Sequence, residues 1–188
     1  MQPRPAEVAE IFLTESRALE SDERRRLRRR GVSESALDRD PGQKSAQIRA
    51  ARVITTEHHF DFAEACDPQS IPVFVACARN WRGVASDIVA FDTDGRYAVS
   101  WLGRESFLGA HHLFAPRLGN PLRVFRDRWA WLLGDRDGVV IVDWRRAPAL
   151  LEGVTIGVDD LEFGRVLRRR LTRPPPPIVV RRSAESSA

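Results

Sequence analysis

Three carboxylates stand close together in the stretch VDDLEFGR, residues 158–165. Asp159, Asp160 and Glu162 follow an apolar run and precede an arginine-rich segment. Oxygen ligands in such a cluster suit Mg²⁺, which takes one or two carboxylates and keeps its waters. The same residues suit the start of a helix, because aspartate accepts hydrogen bonds from its free N–H groups and acids there complement its dipole. The acidic turn therefore predicts either a metal site or a capped surface helix.

Arginine is concentrated in two blocks, RRRLRRR at 24–30 and RVLRRRLTR at 165–173. Lys44 is the only lysine among 30 basic residues, so the other 29 are arginine, and the net charge is +4. Clustered positive charge predicts contact with nucleic-acid phosphates. The alternatives are solvated helix faces and the arginine bias of a GC-rich genome. The candidate phosphate contacts are Arg24, Arg25, Arg26, Arg28, Arg29, Arg30, Arg165, Arg168 and Arg169.

Five tryptophans offer surfaces on which bases could stack. Trp81 is the best candidate, because the sequence RNWRG at 79–83 predicts an exposed turn with arginines on both sides. Trp129 and Trp131 lie two apart on a predicted helix, so both cannot face the core. The alternative for each tryptophan is the role of a core anchor.

Zinc and thiol chemistry have weaker support in the sequence. The candidate zinc ligands are His58, His59, Cys66, Cys77, His111 and His112. Their irregular gaps do not match the paired spacing of structural zinc sites. Cys77 lies inside an apolar run and is predicted to be a small buried residue, and nothing fixes a histidine beside Cys66 as a base. The common nucleotide-binding and hydrolase motifs are missing.

The first half of the chain predicts helices followed by an antiparallel meander. Residues 5–30 show helical periodicity, with Ser21 as a candidate cap for a second segment, and a short helix follows Ser33. Residues 41–47 predict a loop. Short apolar runs between 71 and 102 predict strands, and Asp92 to Gly95 predicts a hairpin turn.

The second half predicts a parallel α/β unit. Strands at 122–126, 138–144 and 154–158 alternate with helices, the last over 160–172. Such alternation favours a parallel sheet with right-handed crossovers. Pro174 to Pro177 predict a stiff extended spacer, and residues 178–180 predict a last short strand.

The sequence therefore predicts a mixed chain of α/β class, α+β overall. We divide it into an N-terminal helical arm and loop at 1–50, a meander at 51–118, a parallel unit at 119–180 and a disordered tail at 181–188. Neither a signal peptide nor a membrane span is evident, and the two cysteines predict no disulfide framework, so we expect a cytoplasmic protein.

The parallel unit resembles the Toprim domain, the catalytic module of primases and topoisomerases. The likeness rests on a strand, an acidic turn, the sequence EFGR and a helix, preceded by GVVIVDWRRAPALL and PLRVFRDRWAWLLG. Upstream, LRRRGVSESAL and the meander resemble the corresponding segments of phage-type primases. The likeness covers residues 27–180 and rests on the order of strands and helices and on short sequence motifs.

This chain departs from the Toprim family at residues on which the chemistry of that family depends. The family has a glutamate and glycine after the first strand, where this chain has Arg126 and Asp127, and its D-x-D motif falls on Asp159 and Leu161. A Toprim site needs the glutamate and both aspartates to hold Mg²⁺ and move protons. The resemblance therefore implies a degenerate module without phosphoryl chemistry, with Asp160 and Glu162 as possible substitute ligands.

The sequence thus favours a non-catalytic, nucleic-acid-associated accessory protein of a mobile element or phage that needs no cofactor. Its expected partners are DNA or RNA and replication or mobile-element proteins, with no membrane role. One alternative is a Mg²⁺-dependent nucleotidyl or phosphoryl-transfer enzyme that uses the acidic turn. The other is a protein-interaction module whose arginines reflect genome composition.

Overall fold

The computed structural model describes residues 3–38, 44–57, 59–92, 98–113 and 120–172. Its helices are α1 (Pro5–Glu15), α2 (Ser21–Arg29), α3 (Glu34–Leu37), α4 (Arg128–Leu133), α5 (Ala147–Leu150) and α6 (Leu161–Leu171), with 3₁₀ turns at Lys44–Ala46 and Ala110–Leu113. Its strands are β1 (Arg17–Ala18), β2 (Arg49–Thr55), β3 (Phe60–Phe62), β4 (Ile71–Arg79), β5 (Ala85–Phe91), β6 (Ala98–Ser100), β7 (Phe107–Leu108), β8 (Leu122–Phe125), β9 (Val139–Ile141) and β10 (Ile156–Gly157).

The first sheet is antiparallel, with the order β1-β2-β4-β5-β6 and β3 paired to β2. The predicted meander is confirmed in the pairings of β4 with β5 and of β5 with β6. Its predicted hairpin turn lies largely outside the described residues, as do the proline spacer, the last strand and the tail. The sequence analysis missed β1, β2 and β3. In β2, the arginines of RAARVIT obscure the period-2 alternation that marks a strand.

The prediction of helix over 5–30 was wrong at 16–20, where the chain forms β1 between two helices. The Ser16 hydroxyl donates to the Phe12 carbonyl at the end of α1. Arg49 donates to the Ser16 hydroxyl at 2.8 Å and to its carbonyl at 2.6 Å. These bonds hold β1 against β2, so tertiary contacts override the local preference for helix. Glu20, rather than Ser21, is the N-cap of α2.

The second sheet is mixed, with the order β10-β8-β9-β7. The pairs β10–β8 and β8–β9 are parallel, and β7 is antiparallel to β9. Helices α4 and α5 form the crossovers between its parallel strands. The predicted α/β class, with a parallel unit after a meander, is confirmed, although the strands and helices of the parallel unit are shorter than predicted.

The hydrophobic core consists of three clusters that lie between the helices and the two sheets. One lies between α1 and the first sheet, and includes Val8 and Phe12. The second is shared by both sheets and takes in Leu27 of α2 and Leu132 of α4. The third lies on the other face of the second sheet and includes Phe163 of α6. Alternate residues of β8 and β9 enter the second and third clusters, so α4 and α6 cover opposite faces of that sheet.

The connection between the sheets is organised by the carboxylate of Asp87, which lies within β5 and is 0% exposed. It accepts hydrogen bonds from the Ser100 hydroxyl at 2.5 Å, from the Leu102 N–H at 2.9 Å and from the Arg104 N–H at 2.7 Å. A buried charge is tolerated only when donors surround it. Asp87 therefore fixes the chain between β6 and β7, where it leaves one sheet for the other.

We expect Asp87→Asn to lower the free energy of unfolding by about 2–4 kcal/mol, because the new amide group would face N–H donors and leave them unsatisfied. Urea denaturation measures the change. Asp61→Asn is the matched control, since Asp61 is exposed on β3, and its effect should stay within about 0.5 kcal/mol. Equal effects of the two substitutions would show that Asp87 does not hold the connection.

Candidate nucleic-acid interface

The acidic turn lies at the carboxyl ends of neighbouring parallel strands. Asp159 and Asp160 follow β10, and Arg126 and Asp127 follow β8, which pairs with β10. Because α4 and α6 leave on opposite faces of the sheet, a crevice of about 300 Å³ opens between these strand ends. Open α/β sheets bind their ligands at such a position. The crevice is therefore the place where the fold itself favours a site.

Two arginines neutralise the aspartates beside this crevice. Arg126 pairs with one oxygen of Asp160, and Arg123 donates to Asp159 at 2.9 Å. The other oxygen of Asp160 accepts from the Glu162 N–H at 2.8 Å and from the Phe163 N–H at 3.4 Å. These backbone bonds, aided by Arg126, lower the pKa of the Asp160 carboxyl. The predicted helix cap is thus observed, with Asp160 as the N-cap of α6.

These ion pairs involve two of the three carboxylates that were predicted to bind a metal ion. Asp159 and Asp160 each have an arginine partner, and Glu162 is exposed in the first turn of α6. Arg126 lines the crevice and places a guanidinium where a cation would have to approach. Within the described ranges, no group of three or more His, Cys, Asp or Glu side chains is arranged to hold a metal ion. That statement covers His59, Cys66, Cys77, His111 and His112, whereas His58 lies outside the described residues.

The two thiols differ in environment. Cys77 is buried in β4 as predicted, and burial raises its pKa to about 12. Its thiol is therefore protonated at neutral pH and is a poor nucleophile. Cys66 is exposed, and its Sγ lies 3.5 Å from a carboxylate oxygen of Glu64.

Most arginines of the first block are engaged within the protein. Arg24 donates to Asp38 at 2.7 Å, Arg25 lies 3.3 Å from Asp22, and Arg28 lies 2.7 Å from Glu34. Arg30 stacks on Trp129 at 3.9 Å from the ring centroid. The contacts of Arg24, Arg28 and Arg30 attach α2 to its neighbours, whereas the Arg25–Asp22 pair lies within the helix. Arg26 and Arg29 are exposed.

The second block is arranged differently. Arg165, Arg168 and Arg169 are exposed on α6. Spacings of three and four residues place them on one stripe of the helix, opposite the buried Phe163 and Leu167. In the part of the chain that the structure describes, no carboxylate lies within ion-pair distance of these three guanidinium groups. We call this surface the α6 arginine stripe.

The structure does not bring the two arginine blocks together on one face of the second sheet. Leu27 of α2 belongs to the core on one face, and Leu167 of α6 belongs to the core on the other. A ligand of modest size would therefore meet one block at a time. Sequence reasoning found both blocks but had no means of telling the paired arginines from the others.

Trp81 lies in the turn between β4 and β5 and is 56% exposed. The Asn80 side chain accepts the N–H groups of Arg82 and Val84 and so fixes the turn. Arg82 lies over the indole ring, 4.5 Å from its centroid. The predicted exposure of Trp81 is confirmed, as is the contrast between buried Trp131 and half-buried Trp129.

No protein-family model, curated protein or solved structure matches this chain. The chemistry of the interface is therefore inferred from its own geometry.

We expect Asp160→Ala to lower stability at neutral pH more than Asp159→Ala does, because only Asp160 both caps α6 and pairs with an arginine. A lowered carboxyl pKa stabilises the fold above the ordinary aspartate value of about 3.9, and that stability is lost as the pH falls through the lowered value. Urea midpoints of the wild-type and Asp160→Ala proteins should therefore converge in acid. A difference that persists unchanged would contradict the role of the carboxylate.

Proposed function

We propose that this protein binds the phosphate backbone of nucleic acid through the α6 arginine stripe and does so without catalysis. The observation that carries the proposal is the exposure of Arg165, Arg168 and Arg169 on one stripe, with no carboxylate partner in the described ranges. Paired surface arginines have their charge largely compensated, whereas these three can still displace counterions from phosphates. At 1.5 Å per residue, the stripe spans about 6 Å of helix axis.

The neighbouring crevice supports a binding role over a catalytic one. Phosphoryl transfer in the resembled Toprim modules would need carboxylates free to hold Mg²⁺. Here Arg123 and Arg126 pair with the two aspartates of the acidic turn, Asp159 and Asp160. The degenerate Toprim likeness therefore agrees with a module that retains the architecture and contacts phosphate through arginine. A Mg²⁺-dependent enzyme is the alternative that the same experiment tests.

Trp81 supplies a second type of contact under this proposal. Its indole is exposed in a fixed turn, and aromatic rings stack on bases without regard to sequence. DNA or RNA with unpaired bases is thus a candidate partner. Replication or mobile-element proteins are further candidates, in keeping with the primase-like order of elements. No helix in the described part of the chain is long and apolar enough to cross a membrane.

We expect Arg165→Gln/Arg168→Gln to weaken binding to duplex DNA and to lower the slope of log affinity against log salt by about 1.8, since each phosphate contact contributes about 0.9. Fluorescence anisotropy with labelled oligonucleotides measures both quantities, with and without Mg²⁺. The matched control is Arg25→Gln/Arg28→Gln, which removes the same charge from arginines that are already ion-paired.

The two double variants separate the competing explanations. A slope that falls equally in both would show that net charge, rather than the α6 arginine stripe, governs binding. No binding by the wild-type protein at low salt would overturn the proposal and favour the protein-interaction module. A Mg²⁺-dependent change in the oligonucleotide that is lost in Asp159→Ala would favour the enzyme.

We expect Trp81→Ala to weaken binding to single-stranded oligonucleotides about tenfold, because a stacked base contributes about 1–3 kcal/mol. Duplex binding should change little, since its bases are already stacked on one another. Anisotropy on matched single and double strands measures the contrast. An equal loss on both substrates would show that Trp81 acts through the turn it occupies and not by stacking.

A further inference from the structure

A second cavity lies where the two sheets meet, away from the α6 arginine stripe. It encloses about 460 Å³, a volume typical of sites for small molecules. His59, Gly103 and Glu105 line it from the first sheet and the connection that follows β6. Arg145 and Arg146 line it from the turn that follows β9. The carboxyl end of a parallel strand thus faces the edge of the antiparallel sheet.

The walls of this inter-sheet cleft are held from both sides. On one side, the Asp87 carboxylate accepts hydrogen bonds from residues 100–104. Arg146 donates to the Gly103 carbonyl at 2.6 Å, to the Arg104 carbonyl at 3.1 Å and to Asp143 at 2.8 Å. Gly103 has a φ of +65°, and a side chain there would meet the His59 ring at 3.1 Å. The lining is therefore preorganised, which favours ligand binding.

Three polar side chains that line the cleft can form a hydrogen bond or an ion pair with a ligand. The Arg145 side chain is exposed and has no ion pair with any residue that the structure describes. His59 directs its Nδ1 towards the Ser100 carbonyl at 3.4 Å, which leaves Nε2 for another partner. Glu105 accepts the Ser86 hydroxyl on one oxygen at 2.6 Å. By contrast, Asp143 and Arg146 neutralise each other.

We propose that the inter-sheet cleft binds the oxyanion group of a small molecule, a carboxylate or a phosphate, between Arg145 and His59, with Glu105 as a hydrogen-bond donor when protonated. A guanidinium and an imidazole are the usual partners of such groups. The remaining charges that face the site are the carboxylate of Glu57 and the Asp143–Arg146 pair, and the buried Asp87 acts on Glu105 from behind the lining.

The cleft predicts that the anion binds more tightly as the pH falls. Burial, together with nearby Asp87, raises the pKa of Glu105 against the opposing effect of the Ser86 hydrogen bond. Protonation of Glu105 removes a negative charge from the lining and creates a hydrogen-bond donor. Both consequences favour an anion.

The experiment is a titration of the full chain with inorganic phosphate and, separately, with acetate, followed by calorimetry at constant ionic strength. We expect saturable millimolar binding of one or both probes, and acetate should bind more tightly in mildly acidic solution than at neutral pH, because the pKa of Glu105 is raised by burial. Arg145→Gln should weaken it at least about tenfold, since a charge-assisted hydrogen bond is lost. Glu105→Gln should bind more tightly than wild-type protein at the higher pH. A preference for one probe identifies the oxyanion.

The control is Arg25→Gln/Arg28→Gln, which removes the same charge from α2, outside both the cleft and the α6 arginine stripe, and should bind both probes as wild-type protein does. Loss of phosphate binding in Arg165→Gln/Arg168→Gln, with Arg145→Gln unaffected, would move the site to α6 and overturn the proposal. So would the absence of saturable binding of both probes by wild-type protein. Because the cleft and the α6 arginine stripe are tested by different variants, either proposal can fail without the other.

Discussion

The buried Asp87 carboxylate constrains the connection that joins the two sheets. Removing such a charge from water is costly, and the cost is offset only because a hydroxyl and several backbone N–H groups converge on it. Those donors belong to residues 100–104, so the position of the connection is set by one side chain of β5. Arg146 then fastens the same connection to the second sheet. This pair of side chains therefore holds the connection that lines the cleft, while the shared apolar core packs the two sheets against each other.

A second buried polar residue attaches the N-terminal helices. Arg136 is 8% exposed and donates to the carbonyls of Ala36 and Ala46, while its guanidinium stacks on Trp131. Its backbone has a positive φ of 59°, and that of Asp135 has 55°, which are unfavourable values for residues other than glycine. The contacts of Arg136 account for this conformation. Leu27 of α2 and Leu37 of α3 belong to the shared core, and three of the six arginines of the first block form ion pairs within the protein.

The sequence predicted what depends on local pattern and failed where distant residues decide. The strands around 122–157 and the cap at Asp160 were recoverable, because apolar runs, turn residues and a capping aspartate are local signals. Strand β2 was missed, since its arginines are satisfied by Ser16 and Ser70, far away in sequence. The partners of Arg24 and Arg28 were missed for the same reason. Glu105 and Arg145 carry no motif, and only the meeting of the two sheets places them in one cleft.

In the crevice beside β8 and β10, an arginine side chain compensates the carboxylate that caps α6. A divalent cation among carboxylates polarises a phosphoryl group and can stabilise the charge that develops during transfer. A guanidinium paired with Asp160 carries one positive charge on fixed donors, and it satisfies the carboxylate that a metal would need. Asp160 therefore caps α6, but its carboxylate is not available to bind a cation. The proposed function places phosphate binding on the exposed arginines of α6, beyond this edge of the sheet.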